Sequence, residues 1–296
     1  MNPPIIVLGM HRSGTSLVAE IIHRWDAYAG PTQMLMPADD WNASGYWEYL
    51  PLVNFNDNLL ASIKATWFVP PVGDELLREK ARESNFKHKA VKLFSTMKNG
   101  GEIWFWKDPR VSILLPFWQK IWDQVIYVVC LRAPVDIAIS LKKRNGFPIS
   151  ASLLIWQIYM LSILKNTADE QGIIFIDYDE ILQQPVQQCQ RLCTFLDNWV
   201  GCSKNTYHKT EYMAQAVNMK LSHNKSSVRF DEFVLSTPDQ RELHQFLEQK
   251  LKDPFKKFDS TQFSVYPGWR EYLLTLAESM RMRLKLRRFI QEKKYT

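Results

Sequence analysis

Four short apolar runs set the frame of the chain. Ile5 to Gly9, Ile103 to Trp106, Val125 to Leu131 and Ile173 to Asp177 are rich in β-branched and aromatic residues and too short for helices. Runs of this kind predict strands buried on both faces. Between them, apolar positions recur at helical spacing. Gly14 to Trp25 carries Leu17, Ile21, Ile22 and Trp25 at that spacing, and further helices are predicted at Ser112 to Trp122, Pro134 to Arg144 and Ser150 to Glu170. Strand alternating with helix predicts an α/β protein, with a parallel sheet of about four to five strands flanked by helices.

Elsewhere the pattern is less regular. Residues 28 to 75 are rich in Pro, Asn, Asp and Trp and read as loops, with one short helix around Leu52 to Ile63. A charged helical stretch follows near Glu75 to Lys98. Past Asp197 the chain reads as helix and loop, with helices at Pro238 to Lys252 and Trp269 to Gln291. No internal repeat or low-complexity tract divides the 296 residues. One domain over 1–296 is expected, with a core at 4–198 and a mostly helical part at 199–296.

Composition narrows the classes of partner. Apolar residues at 46% and charged residues at 23% are ordinary for a globular protein. The formal charge of +6 points to an anionic partner, but the stretch from Arg270 to Thr296 alone carries eight Lys or Arg against three Glu. The rest is nearly neutral, which argues against a nucleic-acid surface. That tail, reading MRMRLKLRRF from Met280, is a candidate for a weak membrane-surface or protein contact. Its plainer reading is a solvated terminal helix. Cys130, Cys189, Cys193 and Cys202 show no metal-type pairing, and Gly9 and Arg12 interrupt the first apolar run too early for a spanning helix. A soluble, cytoplasmic protein is expected.

The candidate chemistry begins at GMHRSGTS, Gly9 to Ser16, between the first strand and the first helix. A glycine-bearing turn there brings backbone N–H groups and the positive end of a helix to a phosphate. An ATP-binding loop reads GxxxxGK[ST], but Thr15 stands at the lysine position and Arg12 brings a positive charge from inside the loop. The loop suits a phosphate other than the β,γ-phosphates of ATP.

Arg12-Ser13-Gly14-Thr15-Ser16 resembles the 5′-phosphosulfate loop of the sulfotransferases that use 3′-phosphoadenosine-5′-phosphosulfate (PAPS). The resemblance implies a P-loop-NTPase-like sulfotransferase fold, and a loop in which His11, Arg12, Ser13, Gly14, Thr15 and Ser16 surround the 5′ end of PAPS. In LRAPVDIAIS, Leu131 to Ser140, an arginine and a serine stand at the separation the family uses for the 3′-phosphate, which gives Arg132 and Ser140 that role. The KDP triplet of WKDPR resembles that of tyrosylprotein sulfotransferases, so Lys107 would stabilise the departing group. DYDEILQQP, from Asp177, resembles a stretch whose tyrosine contacts the nucleotide, which places Tyr178 near the adenosine.

For the base, some branches of the family use a glutamate after the first helix. Glu48, in SGYWEY, is the candidate, with Asp39, Asp40 and Asp57 as rivals. The aromatic neighbours Tyr46, Trp47 and Tyr49 are expected to give Glu48 an apolar pocket that raises its pKa. The expected reaction is sulfuryl transfer from PAPS to a hydroxyl acceptor, without a metal. Trp41, Trp47 and Trp67, near the site, favour a carbohydrate acceptor. The rival readings are a nucleotide-dependent kinase with a degenerate loop, and a non-catalytic binding protein of the same fold.

Overall fold

The computed structural model describes residues 2–42, 45–98, 103–201, 206–217, 229–265 and 267–292, with side chains given for all of these except 98, 206–208 and 281–292. Four strands, β1 (Ile5–Leu8), β2 (Phe105–Lys107), β3 (Ile126–Leu131) and β4 (Ile173–Asp177), form one sheet in the order β2-β1-β3-β4. Every pairing is parallel, with Ile5 opposite both Phe105 and Ile126, and Leu131 opposite Asp177. β1 therefore lies inside the sheet, and its carboxyl end opens between those of β2 and β3. Ligands of parallel α/β sheets gather at that edge.

The continuously apolar strands have a physical explanation in the packing. Ile6 and Leu8 pack into one core and Ile5 and Val7 into another, on the opposite face. In β3, Tyr127 and Val129 alternate in the same way with Ile126, Val128 and Cys130. Both faces are buried, so neither can be polar. Helices α1 (Thr15–Arg24), α8 (Tyr178–Gln183), α9 (Pro185–Val200) and α10 (Thr206–Ala214) cover one face. The other face carries α2 (Leu50–Ser62), α3 (Glu75–Arg82), α4 (Ser84–Lys98), α5 (Val111–Trp118), α6 (Pro134–Asn145), α7 (Ile149–Asn166), α11 (Pro238–Lys252) and the start of α12 (Trp269–Glu292).

The expected elements are present, but α5 stops at Trp118 and α7 at Asn166, each four residues before its expected end, and three further differences stand out. The charged stretch from Glu75 is two helices, because Glu83 turns extended (φ −65°, ψ 121°). That bend lets Leu77 and Ala81 of α3 and Ala90 and Met97 of α4 reach the same core. The second strand starts two residues later than expected and ends on Lys107. Helices α8 and α9 were not anticipated as elements: Asp177 caps α8 by accepting from Asp179 N and Glu180 N, and Pro185 opens α9. Among the described residues, no helix is long and apolar enough to cross a membrane. The basic run after Met280 lies in α12, but its side chains fall outside the described residues.

Candidate active site

The turn after β1 depends on two glycines. A Cβ on Gly9, at φ 147°, would meet the Cys130 carbonyl oxygen at 2.9 Å. One on Gly14, at φ 95°, would lie 2.1 Å from Tyr178 Cδ2. Gly14 is the left-handed N-cap of α1, and the first N–H groups of that helix have no partner within it. The turn is tied down from outside: Gly9 N donates to Ser112 Oγ at 3.0 Å, and Cys130 Sγ donates to the Ser13 carbonyl at 3.0 Å.

A cavity opens over this turn at the carboxyl ends of β1, β2 and β3. His11, Arg12, Gly14, Thr15, Ser16, Glu48, Lys107, Arg132 and Tyr178 all line it. Nine of the eleven residues expected at the site thus meet in one place, although they span residues 11 to 178. The other two, Ser13 and Ser140, are buried beneath its wall.

Ser13 donates both its N–H and its hydroxyl to the Met10 carbonyl, at 3.2 and 2.8 Å. It shapes the turn and faces away from the cavity. Ser140 sits midway along α6 and accepts from Arg12 Nε at 2.8 Å. Arg12, at φ 71°, also donates to the Trp41 carbonyl at 3.3 Å. Arg132 NH1 reaches back 3.0 Å to the Arg12 carbonyl, and its guanidinium lies 4.6 Å from the centre of the Tyr178 ring. Arg12 therefore joins the loop to both members of the expected second anion site.

The other end of the cavity is an ion-pair cluster. Lys107 Nζ lies 2.6 Å from Glu48 Oε1, and Arg110 NH1 lies 3.5 Å from Glu48 Oε2. Arg110 also pairs with Asp57 at 2.6 Å and Asp108 at 2.9 Å. Burial opposes the charge of Arg110, but Asp108, Glu48 and Asp57 outweigh it and hold the guanidinium more firmly protonated than usual. Asp108 is fixed in turn by Asn56 Nδ2 at 2.8 Å, and Asn56 by Trp118 Nε1 at 3.0 Å.

The apolar pocket expected around Glu48 is not what surrounds it. Trp47 turns away to pack on His23 and Phe105, Tyr49 joins the core, and two cations bracket the carboxylate. The backbone turns at Trp47, which sits in the left-handed region at φ 57°. Of the rival carboxylates, Asp57 is held by Arg110 and Asp39 accepts from Tyr46 Oη at 2.7 Å; Asp40 lines the cavity.

His11 packs against Trp67 with ring centres 4.4 Å apart and planes tilted by 47°, and its Nε2 has no hydrogen-bond partner among the described residues. Burial, followed by the charges of Arg110, Lys107, Arg144 and Arg12, holds its imidazole well below the ordinary value. It is therefore a neutral side chain among cations. The tryptophans expected near the site separate: Trp41 is 46% exposed on the cavity wall, Trp67 packs on His11 and Phe147, and Trp47 lies in the opposite core.

Sequence reasoning missed Arg144, which lines the cavity and donates to Tyr46 Oη at 3.1 Å. Its spacing was the available signal, since it stands one helical turn after Ser140 on the same face of α6. It also missed Asn42, whose Nδ2 donates to Ser16 Oγ at 3.1 Å and ties the 39–49 loop to α1.

The model of the family described as "Sulfotransferase family" matches residues 3–199. No curated protein sequence matches the chain. Among solved structures, the chain is similar to the sulfotransferase domain of the Synechococcus PCC 7002 olefin synthase, with 15% identity, a TM-score of 0.47 and coverage of 93% of this chain and 94% of that one. The sulfotransferase domain from the curacin biosynthetic pathway gives 14%, 0.47, 94% and 98%. Retinol dehydratase, solved with androsterone and the inactive cofactor PAP, gives 13%, 0.34, 90% and 83%. The family match takes in the whole sheet, the Gly9–Ser16 turn and the ion-pair cluster, so the chain belongs to the sulfotransferase family, enzymes whose sulfuryl donor is PAPS.

Proposed function

We propose that this enzyme moves the sulfuryl group of PAPS to a hydroxyl of a carbohydrate acceptor by in-line displacement, in the cavity over the Gly9–Ser16 turn. The observation that carries the reading is the convergence of two arginines and a lysine–glutamate ion pair on that single cavity. Arg12 and Arg132 are joined at one end, and Lys107 stands with Glu48 at the other.

The roles follow from that geometry. The N-terminus of α1, with Thr15 and Ser16, takes the 5′ end of the nucleotide, where backbone N–H groups and the helix dipole favour an anion. Arg132 takes the 3′-phosphate, and Tyr178, against Gly14 and Arg132, borders the nucleoside. Ser140 acts on the bound anion through Arg12, whose Nε it accepts from. When bound, PAPS supplies an activated sulfuryl group and a phosphate leaving group. Lys107 neutralises the charge that develops on the departing oxygen, and Glu48 accepts the proton of the attacking hydroxyl. The Lys107–Glu48 contact puts the two tasks side by side. Trp41, exposed on the cavity wall, offers an aromatic face to a sugar ring. Cys130, Cys189 and Cys193 are buried free thiols, which supports a cytoplasmic setting.

Thermal melting with 3′,5′-bisphosphoadenosine (PAP), AMP and ATP–Mg²⁺ tests this reading. A ligand at 100 times its Kd adds about 2.7 kcal/mol, which is a shift of several degrees at about 2–4 °C per kcal/mol. PAP is expected to give the largest shift, without magnesium, and Arg132→Ala to remove most of its advantage over AMP. A larger shift with ATP–Mg²⁺ would overturn the assignment.

A further inference from the structure

The proposed phosphate sites leave one guanidinium of the cavity without a role. Arg144, half-buried near the end of α6, donates from NH2 to Tyr46 Oη at 3.1 Å, and its guanidinium lies 5.5 Å from the centre of that ring. Lys107 Nζ lies 5.9 Å from the same centre. Tyr46 is thus common ground between Arg144 and the Lys107–Glu48 pair, whereas Arg132 faces Tyr178. Arg144 belongs to the reacting end of the cavity rather than the nucleoside end.

Its partners set it apart from the other arginine there. Arg110 is saturated by three carboxylates. Among the described residues no carboxylate pairs with Arg144, and the acceptor it has is a neutral phenol. Tyr46 is itself fixed: its hydroxyl donates to Asp39 Oδ1 at 2.7 Å, so its oxygen presents a lone pair to Arg144. A guanidinium carries five donors in a planar fork that matches a carboxylate in a two-pronged contact. Held in a cleft with most of that fork uncommitted, it favours an anionic guest.

We propose that Arg144, oriented by Tyr46 and Asp39, is a subsite for the acceptor, and that the acceptor carries a carboxylate close to the hydroxyl that is sulfated. The inference rests on the sulfotransferase reading and deepens it by naming the charge class of the acceptor. For a carbohydrate the class is a uronic acid.

The test uses two matched pairs of hydroxyl compounds: 4-nitrophenyl β-D-glucuronide against the β-D-glucoside, and 2-hydroxyphenylacetate against 2-ethylphenol. Sulfation from PAPS and binding to the PAP-saturated protein are both measured, for wild type, Arg144→Ala and Arg144→Lys, alongside PAP affinity. The carboxylate member is expected to be favoured by about tenfold or more in at least one pair, as a charge-assisted contact implies. Arg144→Ala brings that ratio close to one, chiefly through KM, and Arg144→Lys keeps part of it. PAP affinity stays within about twofold of wild type. Equal binding of both members in both pairs overturns the proposal, as does a loss of PAP affinity in Arg144→Ala comparable to that in Arg132→Ala, which would assign Arg144 to the donor. Discrimination confined to the phenolic pair keeps the subsite and removes the carbohydrate reading. Failure of PAP to bind wild type overturns the nucleotide site and the subsite with it.

Discussion

Lys107 Nζ lies 2.6 Å from Glu48 Oε1, with side-chain exposures of 1% and 6%. The two side chains assigned to the leaving group and to the acceptor proton therefore hold each other in place before any substrate enters. The cluster behind them is rigid: Arg110 bridges Glu48, Asp108 and Asp57, and Asn56 and Trp118 fix Asp108. Such preorganisation lets charge develop in the transition state without reorganising the site.

Glu48→Gln keeps an oxygen for Lys107 and removes the charge. The rate of transfer at saturating PAPS is expected to fall about 10²–10⁴-fold, the usual size of general-base assistance. PAP affinity should change little, because Glu48 is placed at the acceptor end. Single-turnover kinetics and PAP titration separate the two. Lys107→Met leaves Glu48 with Arg110 alone, so its stability cost should fall below the about 3–5 kcal/mol typical of breaking a buried pair. Melting of both single variants and of the double variant checks this, and the double variant should cost less than their sum.

Gly14→Ala tests the other end of the cavity. The residue sits at φ 95°, and a Cβ there would overlap Tyr178 Cδ2 at 2.1 Å. A left-handed alanine costs about 1–2 kcal/mol by itself, and the ring must also move off Arg132. PAP binding should be lost while the fold survives, as read by calorimetry and melting. Adding Tyr178→Ala removes the overlap but not the backbone strain. The pair should recover part of the stability and none of the nucleotide affinity.

The sheet was legible in the sequence because a strand buried on both faces leaves little room for polar residues before its carboxyl end. That constraint marks the Ile5, Ile126 and Ile173 runs almost to the residue. The loop residues were legible because only glycine fits where Gly9 and Gly14 stand. What the sequence hid was direction. Spacing puts Ser140 near Arg132, but not its hydroxyl under Arg12, a contact across 128 residues of chain. Periodicity could not show that Trp47 would turn into the opposite core and leave Glu48 between two cations, since the 46–49 segment is irregular and turns at Trp47, at φ 57°. Nor could propensity find the break at Glu83, which is set by where Leu77 and Ala90 must pack.

The Arg12–Ser140 contact predicts coupled effects on nucleotide binding. Ser140→Ala removes the acceptor of Arg12 Nε at 2.8 Å, so the guanidinium loses its aim. A loss of about 0.5–1.5 kcal/mol in PAP binding is expected, roughly two- to twelvefold in Kd. In an Arg12→Ala background the same change should have almost no further effect, because Ser140 is proposed to act through Arg12. Additive losses in the double variant would show instead that Ser140 reaches the nucleotide by another route.

His11 gives the stability of the enzyme an acid limb whose sign is fixed. Burial first, then the nearby arginines and Lys107, hold the folded imidazole well below its ordinary value near 6.5. Below that value the unfolded chain takes up a proton that the folded chain refuses, so stability is full above pH 6.5 and declines as pH falls toward the folded pKa. Each unit in that window costs up to about 1.4 kcal/mol from this group. Glutamine at position 11 does not titrate there. Between pH 8 and pH 5, His11→Gln should therefore lose less melting temperature than wild type, whatever its stability at pH 8. Parallel losses in the two proteins would mean that the folded imidazole charges freely, and that it does not stand neutral among Arg12, Lys107, Arg110 and Arg144.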